Sequence, residues 1–236
     1  MNIDKNTVKA TFLRRPNRFQ GFVNLNGVEI MAHVPNTGRC KEILKEDTTV
    51  ILREENNPNR KTAYSLIAAY KGVRLINIDS QMPNKLVEEA LNNKIIGELK
   101  DYNYISREKT YGSSRFDFKL AKSEKGLNVI KEEYYLEVKG VTLEDNGETR
   151  FPDAPTERGT KHILELIEVK NSGRGAGIMF VIQLDDVKSF RPNDEMDEKF
   201  GKALRKASEN GVDIMAYCCK VKEDSVTLYK RIPVEL

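Results

Sequence analysis

Tyr134-Tyr-Leu-Glu-Val-Lys-Gly140 alternates as a strand does, and the reading of the C-terminal part of the chain turns on it. Successive side chains of a strand face opposite ways, so Glu137 and Lys139 share one face while Leu136 and Val138 take the other. Upstream, Ser114-Arg-Phe-Asp-Phe-Lys-Leu120 alternates in the same way. It predicts Phe116 and Phe118 on one face and Arg115, Asp117 and Lys119 on the other. Paired as a hairpin, the two segments bring Asp117, Glu137 and Lys139 together. Two carboxylates a few ångströms apart repel, and a shared proton or a divalent cation relieves them. Hard oxygen ligands of this kind suit Mg2+ or Mn2+. A lysine beside them orients or deprotonates a water, or balances charge on a phosphorane-like transition state. The acid-x-Lys spacing alone says little, because it recurs at Glu98, Glu168, Asp186 and Asp197. Those positions fall in helices or at element ends, whereas Glu137 lies inside a strand that follows another acid-bearing strand.

Outward from this hairpin the periodicity changes. Before it, Leu86, Ala90, Leu91 and Ile95 follow helical spacing from Pro83, and a strand is expected near Tyr104–Glu108. After it come a Pro-rich loop, a helix from Thr156 to Lys170, and Gly173, Gly175 and Gly177 leading into a strand over Ile178–Leu184. A helix over Asp194–Asn210 and strands over Val212–Cys219 and Ser225–Tyr229 finish the chain. Helix, three strands, helix, strand is the order of an α/β domain whose sheet mixes antiparallel hairpins with a parallel crossover.

The first eighty residues read differently. Ala10–Arg15, Phe19–Leu25, Val28–Val34, Thr49–Arg53, Ala63–Tyr70 and Val73–Asn77 are short strands bounded by turn residues. Asn26-Gly27 marks a hairpin, since both central residues of a type I′ turn need positive φ. Short strands in this number, with no long helix among them, predict a small barrel of the OB type. The expected organisation is therefore an OB-like β-barrel over residues 1–81 and an α/β domain over 82–236.

Charge and composition narrow the classes. The 236 residues are 39% hydrophobic and 32% charged, enough apolar mass for a core beneath a charged surface. Net charge is +3, but residues 1–80 carry +5 and the remainder −2. A basic N-terminal part attracts a polyanion through phosphate contacts. Arg14, Arg15 and Arg18 cluster around Pro16, Lys61 follows Arg60, and His33-Val-Pro-Asn-Thr-Gly-Arg39 leaves a strand for a loop. On an OB-type barrel such groups track a phosphate backbone, while Phe19 and Tyr64 either stack on bases or fill the barrel. No apolar run reaches the roughly 18 residues of a membrane span, and no apolar leader opens the chain, so a cytoplasmic protein is expected. Cys40, Cys218 and Cys219 show no metal-binding spacing and read as reduced thiols.

Phe151-Pro-Asp-Ala-Pro-Thr-Glu-Arg-Gly-Thr-Lys-His162 is the most unusual segment. Thr156 or Asp153 can cap the helix that follows. The first turn then offers backbone N–H groups beside Arg158, Lys161 and His162, an anion site. Without a ligand, the same segment is a capped helix with solvated charges, and His162 is a hydrogen-bonded residue against the sheet.

His33–Arg39, Pro83-Asn-Lys-Leu-Val87, Ser114–Asp117, Glu137–Lys139 and Phe151–His162 together resemble the bacterial and archaeal sugar fermentation stimulation protein family. The resemblance runs from Phe12 to Tyr229. It implies an N-terminal OB-like domain, a C-terminal restriction-endonuclease-like domain, and DNA binding. In such nuclease domains the matching residues are Asp117 and Glu137 as metal ligands and Lys139 as the catalytic lysine. The first helix often adds an acid there, a place open to Glu88 or Glu89. Cys40 departs from the pattern, standing where a larger apolar residue is expected. Two functions follow as expectations: a Mg2+- or Mn2+-dependent nuclease, or a non-cleaving DNA-binding regulator of sugar metabolism with a vestigial site. Any oligomer is expected to be a dimer, though no interface stripe is visible.

Overall fold

The computed structural model describes residues 1–3, 5–123 and 130–236. Its N-terminal part contains β1 (Thr7–Asn17), β2 (Gln20–Leu25), β3 (Val28–His33), β4 (Thr49–Glu54), β5 (Tyr64–Lys71) and β6 (Arg74–Asn77). Asn26 and Gly27 have φ of 53° and 87°, the left-handed pair that a type I′ turn demands, and they join β2 to β3. β1 pairs antiparallel with both β2 and β4, and β4 pairs with β5. A parallel bridge from His33 to Ser65 joins β3 to β5 and closes a five-stranded OB-like barrel. β6 continues the sheet beyond β5. Phe12, Val23, Val50, Leu52 and Leu66 fill the interior.

The chain continues through α1 (Met82–Asn92), β7 (Tyr104–Tyr111), β8 (Ser114–Ser123), β9 (Ile130–Val141), β10 (Glu144–Asp145), β11 (Glu148–Phe151), α2 (Glu157–Asn171), β12 (Gly175–Ile182), β13 (Ser189–Pro192), α3 (Glu198–Glu209), β14 (Asp213–Val221) and β15 (Val226–Arg231). The large sheet runs β15-β14-β12-β9-β8-β7. β7, β8 and β9 are antiparallel neighbours, β12 lies parallel to β9 and β14, and β15 returns antiparallel. This is the expected mixed sheet. α1 covers one face through Leu86, Val87 and Leu91, and α2 and α3 cover the other through Ile163, Leu166, Phe200 and Leu204.

Several local expectations change. Phe116 and Phe118 do not share a face: Phe116 packs with Tyr135 and His162 beneath α2, and Phe118 lies in the cluster covered by α1. Glu108 has φ 51°, and the β7–β8 ladder skips it, pairing Arg107 with Phe118 and then Lys109 with Phe116. Gly175 and Gly177 belong to β12, where the Tyr134 ring lies on the backbone; a Cβ at Gly175 would stand 2.2 Å from that ring. α3 starts at Glu198 because Asp197 caps it, accepting from Phe200 N–H at 3.0 Å. The Pro-rich loop contains β10 and β11, which build a small sheet with β13. No alternation announces strands so short.

The two parts share one apolar core that runs from Phe12 and Leu66 through Phe116 and Tyr135 to Ile163 and Phe180. Polar bonds close the seam. Asn77 N–H donates to Gln183 O (2.9 Å), and Gln183 Nε2 donates to Asn77 Oδ1 (2.7 Å) and to Asp79 O (3.0 Å).

Candidate metal centre

The site lies where β8 and β9 reach the first turns of α1 and α2. The β8–β9 ladder pairs Phe118 with Leu136, and Asp117 and Glu137 stand one step beyond. Asp117 Oδ2 accepts the Val138 N–H at 2.8 Å, and its Oδ1 accepts from Asn84 Nδ2 of α1 at 2.7 Å. Burial, followed by the negative charge of Glu137, pushes the Asp117 carboxyl above its ordinary range; the Val138 and Asn84 bonds offset part of this.

Glu137 is only 3% exposed. Its Oε1 receives Lys139 Nζ at 2.5 Å and His162 Nδ1 at 2.6 Å. Burial pushes this carboxyl up as well, but the His162 and Lys139 contacts outweigh it, and Glu137 stays below the usual range. Its second oxygen, Oε2, is buried with no hydrogen-bond partner among the described residues. A buried carboxylate oxygen left bare is costly unless something fills its coordination. Among the described residues no third His, Cys, Asp or Glu joins a metal-binding cluster. Two carboxylates, with remaining positions left to water or backbone carbonyls, suit a hard cation of the Mg2+ or Ca2+ type and not the closed nitrogen and sulfur shell of structural zinc.

Residues predicted for the site separate into groups. Asp117, Glu137 and Lys139 converge. His162, expected as an anion contact, is 5% exposed and bonded to Glu137; as a buried residue it supports the carboxylate and does not face a nucleic acid. Glu88 pairs with Arg107 at 3.1 Å and Glu89 with the N-terminal ammonium at 3.1 Å, so neither turns to the acids. α1 contributes Asn84 instead, which sequence reading missed because a lone amide in a first helical turn carries no local signal. Arg158 and Lys161 are exposed on the first turns of α2, and Thr156, not Asp153, caps that helix, accepting the Gly159 N–H at 3.0 Å.

On the barrel, Arg15 is not an exposed phosphate contact. Its Nη1 donates to the carbonyls of Gly38 and Arg39 and its Nη2 to those of Arg18 and Asn36, all within 2.8 Å. It clamps the loop after β3. Arg14 makes a two-pronged pair with Glu29 and lies over Phe22. His33 is partly exposed at the barrel closure and Lys61 is exposed. Arg18 and Arg39 are exposed and have no carboxylate partner among the described residues. Phe19 is 55% exposed, while Tyr64 packs against the core. Cys40, Cys218 and Cys219 are free and buried, and burial raises the Cys40 thiol to about 11. No helix among the described residues is long and apolar enough to cross a membrane.

Fold and site together define a class: an OB-like barrel joined to a mixed-sheet α/β unit with a partly buried acidic pair on neighbouring strands of the sheet. Comparisons give the family. The profile of the SfsA N-terminal OB domain matches residues 13–78, and that of the sugar fermentation stimulation protein RE domain matches residues 81–225. The sugar fermentation stimulation protein homologue of Clostridium perfringens (strain 13 / Type A) is 64% identical over 228 residues, 97% of this chain and 96% of its own. That of Clostridium tetani (strain Massachusetts / E88) is 64% identical over 236 residues and the full length of both. The chain belongs to the sugar fermentation stimulation protein family. The solved structure of Pyrococcus furiosus SfsA in complex with Ca2+ matches it with a TM-score of 0.88 at 28% identity, covering 100% of both chains.

Proposed function

We propose that this protein binds DNA and hydrolyses its phosphodiester bonds with the help of a divalent cation, Mg2+ or Mn2+, held by Asp117 and Glu137. The observation that carries the reading is the bare, buried Oε2 of Glu137 next to an Asp117 whose ionisation its surroundings oppose. A cation between them would relieve both. The Ca2+ complex of the Pyrococcus furiosus relative supports a divalent site in this fold.

The bound cation would supply Lewis acidity toward a phosphoryl oxygen. The chain's residues do the rest. His162 and Asn84 fix the two carboxylates, as partners behind metal ligands do. Lys139, anchored on Glu137, presents an ammonium that orients the attacking water and offsets charge building on the phosphate. In the reaction the water oxygen bonds to phosphorus, the bond from phosphorus to the leaving oxygen breaks, one water proton passes to solvent, and the leaving oxygen takes up a proton.

Arg18 and Arg39, exposed and without a carboxylate partner among the described residues, favour a second reading, a DNA-binding regulator that does not cleave. Incubation with single- and double-stranded DNA in Mg2+, in Mn2+ and in chelator separates the two. Metal-dependent cutting that Glu137→Ala and Lys139→Ala abolish is the expected result. Salt-sensitive binding without cutting under any condition would overturn the nuclease and leave the regulator.

A further inference from the structure

The loop after β3 and the loop before α2, far apart in sequence, meet near the C-terminal end of β9. A Cβ added at Gly38, in the loop after β3, would stand 2.9 Å from Asp153 Oδ2, in the loop before α2. Between them lies a cavity of about 170 Å3, whose wall includes Gly38 and Ser80 from the barrel part, Thr37 at its rim, Gly140 from β9, Arg150 and Phe151 from β11, Asp153 from the second loop, and Gln183. It opens one residue past Lys139. Its size is well below the roughly 300–1,000 Å3 of pockets that enclose drug-sized ligands, leaving room for one heterocycle and not for a base pair.

Its walls are held in place. Asn36 takes the Gly38 N–H on Oδ1 at 2.7 Å and donates to Ile78 O, and Arg15 grips four carbonyls of the barrel loops. Its free side-chain groups include two acceptors, while donors on the same wall are engaged elsewhere: Arg150 Nε on Glu148 (2.7 Å), Ser80 Oγ on Pro35 O (2.8 Å) and Asn36 Nδ2 on Ile78 O. The exposed Asp153 carboxylate has no hydrogen-bond or ion-pair partner among the described residues. Gln183 uses its Nε2 on Asn77 and Asp79 O, so the oxygen of its amide is the end that faces Gly140. Two free acceptors, beside an Arg150 whose charge Glu148 balances, disfavour a phosphate and accept from an exocyclic amine, the group by which an acidic side chain reads cytosine. Phe151, partly exposed, adds an aromatic surface.

On the other side of Gly38 a groove of about 400 Å3 carries Arg18, Arg39 and Lys41, all exposed and without carboxylate partners among the described residues. Acceptor pocket and cationic groove thus share one loop as their common wall. We infer that the pocket receives an unpaired, amine-bearing base of a DNA single strand whose backbone lies along the Arg18–Lys41 groove. This rests on the DNA-processing reading above and names the form of DNA that the site takes.

The test is binding of labelled dC and dT oligomers about 12 nucleotides long, within the roughly 4–16 spanned by an OB fold, and of a duplex, read by fluorescence polarisation in Ca2+. Cytosine and thymine are both single-ring pyrimidines, and cytosine presents an amine where thymine presents a carbonyl beside a methyl group. The full chain is expected to bind the dC strand about tenfold tighter than the dT strand, as a hydrogen bond to a charged group allows, and tighter than duplex. Asp153→Asn should bring the two strands to within about twofold, because an amide serves either base. Thr37→Trp, at an exposed position, should fill the cavity and weaken dC binding, with unchanged melting temperatures showing both variants folded. Arg39→Ala should weaken both strands alike and reduce the salt slope by about 0.7. Equal binding of dC and dT, or tighter binding of duplex, overturns the pocket. If the wild-type chain still cuts duplex DNA with metal, the reading of the acidic pair survives that loss. Absence of binding to every DNA overturns both.

Discussion

Asp117 and Glu137 are neighbouring carboxyls whose acidities are driven in opposite directions. Glu137 is buried and Asp117 partly so, but Glu137 has two cationic or proton-bearing partners on one oxygen, whereas the donors to Asp117 among the described residues are neutral. The fold therefore carries an ionised Asp117 at a cost. Asp117→Asn is expected to raise the melting temperature in the absence of metal, by about 2–4 °C for each kcal/mol gained, and to remove the stabilisation that added Mn2+ or Ca2+ gives the wild type. Thermal scans with and without metal read both effects, and a lower melting temperature without metal would contradict the account. His162→Ala should weaken cation affinity about 10–100-fold, the range measured for groups that support metal ligands. Isothermal titration decides it, since unchanged affinity would reduce His162 to core packing. The acids and the lysine were legible from strand alternation; the support from Asn84 and the changed duties of Arg15 and His162 were not. A side chain's partner is set by what the fold brings to it, and nothing within a few residues of Arg15 announces the four carbonyls it clamps.

At the scale of elements, two helix starts are tied together in front of the site. Thr156 caps α2, and Asp197 caps α3 while its other oxygen accepts the Thr156 N–H at 2.8 Å. Thr156→Ala should cost about 1 kcal/mol, the usual value of a lost cap, and Asp197→Ala more, because it releases a cap and the link to the neighbouring helix. Urea unfolding measures both; a smaller loss at Asp197 would show that the link contributes nothing. β12 begins with glycines for a different reason. Tyr134 lies across Gly175 and Gly177 with its hydroxyl donating to Asp213 at 2.8 Å, so the ring cannot retreat. Gly175→Ala should destabilise by roughly 1–3 kcal/mol, and shortening Tyr134 in the same chain should recover part of that loss. Helix spacing and hairpin turns placed most elements within a few residues. The small sheet of β10, β11 and β13 has no local signal because β11 and β13 pair across some forty positions and its strands are too short to show a period.

Across the whole molecule, barrel and α/β unit are joined by a common core and by charge. Glu144 of β10 is held by Lys71 and Arg74 of the barrel; burial raises its carboxyl, but Lys71, the Gly147 N–H and Arg74 overcome that and bring it down to about 2. Inside the barrel, Glu55 is likewise lowered to about 2 against its burial, by Lys5, Ser65 and Arg53. A carboxyl depressed in the folded state stabilises the fold at pH above its unfolded value of about 4.3, and that contribution fades as pH falls toward 2. Stability should therefore drop across this window, and Glu144→Gln should flatten the drop, as urea titrations at a series of pH values will show. A flat wild-type profile would contradict it. Because apolar packing runs unbroken between the parts, calorimetry should record one unfolding transition; two resolved peaks would mean that the barrel folds alone.

Read alone, the order of residues determined what depends on near neighbours. Alternation, helical spacing and the Asn26-Gly27 turn are local, and they suffice for an OB-like barrel, a mixed sheet and an acid-bearing hairpin. Tertiary structure decided what depends on distant contacts: barrel closure from His33 to Ser65, the bare oxygen of Glu137, and the meeting of Gly38 with Asp153. The physical reason is that backbone preference acts over one or two turns of chain, whereas burial and hydrogen-bond partners are assigned only when remote segments come into contact.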